Sequence, residues 1–133
     1  MNTFHLEIVT PDGLEYNGEA ESLLIRTDDG DIEILANHAD LISTVAIGRA
    51  RIIADGKTLY ASAAGGFVSV AKNAVRLVAT TFEFADDIDL ERAKLAKKRA
   101  EEALPAKKTD ADVRIAKAKL ARALNRINVA NLK

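Results

Sequence analysis

Arginines in the last third of the chain have the spacing best suited to binding chemistry. Asp89 and Arg92 lie three apart and Arg99 seven beyond Arg92, so on a helix all three project from a similar face. Arg122 and Arg126, four apart, share a face on a second helix. Antiparallel packing of two such helices would gather three or four guanidinium forks and one carboxylate. Guanidinium groups grip phosphate oxygens bidentately, and a carboxylate can accept from a purine amino group. The same spacing also describes two solvated faces of basic helices. The residues alone leave both readings open.

Hydrolytic or transfer chemistry needs a nucleophile with a positioned base, or a metal cluster. The chain has two histidines, His5 and His38, far apart in sequence, and no cysteine. The acidic run Asp28-Asp29-Gly30-Asp31-Ile32-Glu33 lacks the span of a calcium loop and reads as a solvated hairpin. Gly65-Gly66 opens no helix and no Lys-Ser/Thr follows, so it reads as a bend between strands. No enzyme site emerges, and no metal or required cofactor is expected.

Two segments of different period must position these groups. Phe4, Leu6 and Ile8 alternate with His5, Glu7 and Val9, the period of a half-buried strand. Short apolar runs follow to about Phe84, separated by turn clusters; Asp55-Gly56 is a strong two-residue hairpin signal. Seven or eight strands are expected, forming an antiparallel β-sandwich or flattened barrel over residues 1–85. From Asp86 onward there is no Gly, one Pro, and mostly Ala, Lys, Arg, Leu and Glu. A first helix capped by Asp86 or Asp87 should run to Leu104, break at Pro105, and give way to a second capped by Thr109 or Asp110. The fold class is therefore α+β, with a helical hairpin over 86–133. Its facing stripes are Ala93, Ala96, Ala100, Ala103 and Leu104 against Val113, Ala116, Leu120, Ala123, Leu124 and Ile127. A stripe of alanines buries little, so the hairpin should be weakly held and able to move.

Charge divides in the same place. Residues 1–85 carry 6 Lys/Arg against 12 Asp/Glu, and residues 86–133 carry 13 against 8. The split suggests different partners for the two parts. No window is long and apolar enough to span a membrane. The slightly acidic total and 5% aromatic content argue against nucleic acid.

Three stretches resemble the epsilon subunit of bacterial-type rotary ATP synthases: Phe4–Gly13, Gly30–Ile42 and Ala64–Val68. The helical Ile88-Asp89-Leu90-Glu91-Arg92-Ala93 is similar as well, although Ala36-Asn37 stands where the family more often has Pro-Gly, and Glu33 where it has a small residue. The resemblance implies a non-catalytic rotor subunit, peripheral on the cytoplasmic face of a bacterial membrane and attached only through its complex. Asp28, Asp29, Gly30 and Asp31 would meet the ring of c subunits, and His38 would lie near gamma. In an extended state Arg114, Lys117, Lys119, Arg122 and Arg126 would face the catalytic beta (and alpha) subunits and inhibit ATP hydrolysis. Some family members bind ATP as a regulatory ligand between the folded helices. The matching positions are Glu83, Ile88, Asp89, Arg92, Ala93, Arg99, Arg122 and Arg126. A nucleotide sensor that never enters a rotary complex is the alternative.

Overall fold

In the computed structural model, which describes residues 2–132, the alternating segment folds into two five-stranded sheets packed face to face. The strands are β1 (Phe4–Thr10), β2 (Gly13–Ala20), β3 (Ser22–Thr27), β4 (Gly30–Leu35), β5 (Leu41–Thr44), β6 (Gly48–Ala54), β7 (Lys57–Ala64), β8 (Phe67–Ala71), β9 (Ala74–Val78) and β10 (Thr81–Phe84). Sheet 1 has the order β2-β1-β9-β8-β5 and sheet 2 the order β10-β7-β6-β3-β4. Ten strands replace the expected seven or eight. β2 reads as polar because it is an edge strand in which Ala20 alone is buried. β10 is four residues long and continues directly from the run before it. All pairings are antiparallel except one, β1 with β9, which is parallel.

Alternation decides what lies between the sheets. Phe4, Leu6 and Ile8 meet Leu23, Ile25, Ile34, Ile52, Val68 and Leu77 there, each at most 1% exposed. Burying side chains of this size stabilises the fold by about 1.5–3 kcal/mol apiece before entropy is counted. The Asp55-Gly56 turn forms as expected, with positive φ at both residues. Asn37 takes φ 64°, a conformation that Asn tolerates better than other side chains.

After β10 a single 3₁₀ turn covers Ala85–Asp87, then α1 spans Leu90–Ala103 and α2 spans Asp110–Ala130. The first cap is Asp89, not Asp86 or Asp87: its carboxylate accepts from the Arg92 N–H at 3.0 Å. The reason is Ile88, which is extended and 6% exposed among Ala85, Val129 and Ala130, and so delays the helix start. Thr109 caps α2, its hydroxyl accepting from the Asp112 N–H. Pro105 sits in a short 3₁₀ turn between the helices.

Gly66 (φ 88°) lies where β8 begins, and a Cβ there would stand 1.8 Å from the Val78 carbonyl oxygen. Gly56 (φ 72°) has open space around it. Gly66→Ala should cost roughly 3 kcal/mol or more, Gly56→Ala only about 1–2 kcal/mol from the left-handed backbone. Denaturant midpoints measure the difference; equal losses would show that the close approach carries no weight.

Candidate functional site

α2 lies on the outer face of sheet 2, and α1 packs against α2. Where they meet the sheet, Ala85, Ile88, Val129 and Ala130 form a small apolar cluster flanked by Tyr60 and Leu90. Asn125 bonds to the Gly48 carbonyl and Ser62 hydroxyl, and Arg126 Nε to Glu83 Oε1 at 2.9 Å. The expected stripe is present in part. Ala116 and Ala123 are buried and Val113, Leu120 and Ile127 half-buried, but Leu124 is 38% exposed because α2 turns Val129 and Ala130 to the sheet instead.

Farther along the hairpin the helices stand off the sandwich and leave a cleft of about 760 Å³. Ala96, Ala100 and Ala103 of α1 and Ile115 and Ala116 of α2 give it an apolar wall. From the sandwich it is lined by Ser62, Ala64, Thr81, Phe82 and Glu83, together with Thr10, Asp12 and Thr80. Arg99, Lys107, Lys119, Arg122 and Arg126 face Asp12, Glu83 and Asp112, so cations outnumber carboxylates. The open sites of Ala96 and Ala103, both exposed, are therefore cleft surface and not packed seam. A flat apolar wall beside guanidinium groups is a chemistry that fits an aromatic ring carrying phosphates.

The eight expected nucleotide positions separate into two groups. Glu83, Arg99, Arg122 and Arg126 line the cleft. Ile88, Asp89, Arg92 and Ala93 lie at the start of α1, outside that lining. Ile88 and Ala93 are buried, Asp89 caps the helix, and Arg92 is exposed. Three guanidinium groups thus converge as the spacing suggested, and the carboxylate among them is Glu83 in place of Asp89.

The acidic turn between β3 and β4 is held before any partner arrives. The buried Thr27 hydroxyl donates to the Gly30 carbonyl at 2.7 Å and accepts from the Asp29 N–H. Asp28 accepts from Thr44 at 2.6 Å, and Asp31 pairs with Arg26 at 3.2 Å. His38 is half-buried, its Nδ1 2.7 Å from the Ala39 carbonyl. Arg114 and Lys117 point to solvent on α2.

One surface was missed by sequence reasoning. Register aligns Leu14, Val9, Val78, Phe67 and Thr44 in a row across all five strands of sheet 1. Leu14 and Phe67 are 57% and 44% exposed, and Ile42 beside them is 79% exposed. The adjacent pair Phe67-Val68 held the signal, since alternation forces one of two neighbouring apolar residues outward.

A β-sandwich followed by a docked helical pair is an architecture with known counterparts. The family model for the ATP synthase delta/epsilon-chain beta-sandwich domain matches residues 3–85, and that for the long alpha-helix domain matches residues 86–131. The ATP synthase epsilon chain of Bacillus velezensis is 42% identical over 130 residues, covering 98% of each chain. That of Ruminiclostridium cellulolyticum is 40% identical over 131 residues, again covering 98% of each. In fold, a chain of the Euglena gracilis mitochondrial ATP synthase OSCP/F1/c-ring structure superposes with a TM-score of 0.83 at 20% identity, covering all of this chain and 83% of that one. The class is thus the two-domain delta/epsilon subunit of ATP synthase. The chain belongs to the ATP synthase epsilon-chain family.

Arg126 and Glu83 are partly exposed, so their pair should hold the docked hairpin by only about 0.5–1 kcal/mol. Arg126→Ala should speed amide exchange in α2 a few-fold and leave β1 and β9 protected. Unchanged exchange in α2 would mean the pair contributes nothing to docking.

Proposed function

We propose that this chain is a non-catalytic rotor subunit of a proton- or sodium-translocating ATP synthase, with a sandwich that couples the central stalk to the c-ring and a hairpin that reversibly inhibits ATP hydrolysis. The observation that carries the reading is the seam: α2 meets the sandwich through a cluster of four buried residues and a few polar bonds. Such a contact opens at modest cost.

The sandwich offers two partner surfaces. The apolar row of sheet 1 suits the gamma subunit, because Leu14, Ile42 and Phe67 expose apolar side chains on one face of that sheet. The prepared acidic turn suits a polar, basic loop of the c-ring. Asp29 has its backbone, and not its carboxylate, engaged in holding that turn. This would keep the chain at the cytoplasmic face of a bacterial membrane; no helix among the described residues is long and apolar enough to cross one. The Euglena counterpart comes from a structure titled with both F1 and the c-ring, which supports the same assembly.

The hairpin carries two exclusive uses of one set of cations. Docked, Lys119, Arg122 and Arg126 face the cleft, where ATP would hold them through its phosphates. Extended, the same residues with Arg114 and Lys117 would meet carboxylates of the beta and alpha subunits. α2 has 21 residues, ~32 Å of helix, enough to reach beyond a small domain. ATP is thus a regulatory ligand that favours the docked state.

Deleting residues 87–133 should raise ATP hydrolysis by the assembled enzyme and leave assembly intact; hydrolysis at the wild-type rate would remove the brake. Calorimetry of the isolated chain with MgATP should show one site that Arg122→Ala and Arg126→Ala weaken about tenfold or more, the size of losing a charged hydrogen bond. Absence of heat at millimolar nucleotide would retire the ATP reading alone.

A further inference from the structure

One side chain supplies two of the few polar bonds at the seam. Asn125 Nδ2 donates to the Gly48 carbonyl at 2.9 Å and to Ser62 Oγ at 2.8 Å. A carboxamide nitrogen carries two N–H groups, so both bonds form together, and a carbonyl can only accept, which fixes the nitrogen end toward the sheet. The two acceptors lie on the neighbouring strands β6 and β7, where Arg49 is paired with Ser62 one residue on from Gly48. Attachment at two points on different strands sets both the height of α2 along the sheet and its rotation about its own axis. Arg126 is the next residue and Arg122 lies one turn before, so the rotation of α2 decides whether their guanidinium groups face the cleft.

The surroundings make the attachment costly to leave unmade. Ser62 is 8% exposed, so its hydroxyl has little water to turn to. Gly48 approaches the Arg26 stem so closely that a Cβ would stand 2.5 Å from the Arg26 Cβ. Any side chain at position 48 would therefore displace the strand whose carbonyl Asn125 reads.

We propose that Asn125 is a positioning residue: by bridging β6 and β7 it fixes the docked position of α2 and keeps Arg122 and Arg126 at the cleft. The inference rests on the two-position reading of the hairpin given above, and it needs no nucleotide to be tested. The full chain has no cysteine, so spin labels can be placed at Asp40→Cys on the sandwich and Lys108→Cys at the hairpin tip. Asn125→Asp keeps the shape and turns an acceptor toward two oxygens; Asn125→Leu keeps bulk and removes the donor. Both should raise the undocked fraction about tenfold, Asn125→Asp at least as strongly, with helix content and the sandwich melt unchanged. Ser62→Ala should give a smaller rise and add nothing on top of Asn125→Leu.

A docked Asn125→Asp chain would overturn the inference, since packing alone would then suffice. So would a wild-type chain already undocked, or equal label distances in all variants. Should a variant lose the sandwich melt, Ser62→Ala decides by the same distances. A wild type that ignores MgATP would sink the nucleotide reading and leave the distance result standing.

Discussion

The contact of α2 with the outer face of sheet 2 governs everything outside the sandwich. The sandwich has an extensive core built largely of Leu, Ile, Val and Phe, whereas the helical part shares with it only the small cluster of Ala85, Ile88, Val129 and Ala130. α1 packs chiefly on α2 and has little contact of its own with the sandwich. A body that is stable alone and an arm that is not is the physical arrangement from which a two-position device can be made. Had α1 carried leucines at positions 96, 100 and 103, the cleft would be filled and the arm fixed.

The cleft follows from the same economy of side chains. Toward the hairpin tip the alanine-faced helices do not fill the space above the sheet, and the gap is lined on one side by methyl groups and on the other by residues of β7 and β10. Cations project into it because α2 is basic on the face that alanine does not occupy. Glu83 is the one carboxylate shown bonded to a cleft guanidinium, and it balances Arg126 where that residue would otherwise have none.

Much of the sandwich was legible in the residues, because period-two alternation and turn chemistry are local signals. Asp55-Gly56, Thr109 and Pro105 all do what their types dictate. β2 was hidden since an edge strand wetted on both faces has no alternation to show. The cap moved to Asp89 because a tertiary contact, Ile88 against Val129, outweighed the local preference for a cap at Asp86 or Asp87. In the site, helical spacing found Arg99, Arg122 and Arg126, but Glu83 belongs to a strand and only its family resemblance singled it out. Asn125 could not be found at all: its two acceptors are 77 and 63 residues away. Cross-strand rows such as Leu14 to Phe67 are likewise invisible until register is known.

The parallel pairing of β1 with β9 has a consequence for how the chain is made. His5 lies opposite Ala74 and Val9 opposite Val78, so sheet 1 cannot close until β9 has been made. Until then β1 has β2 as its partner and an open edge on its other side. Non-local closure of this kind slows folding. The hairpin follows the sandwich in the chain, and local helix formation is fast by comparison. The sandwich therefore sets the pace of folding, and α2 has a surface to dock on only once β6 and β7 are paired.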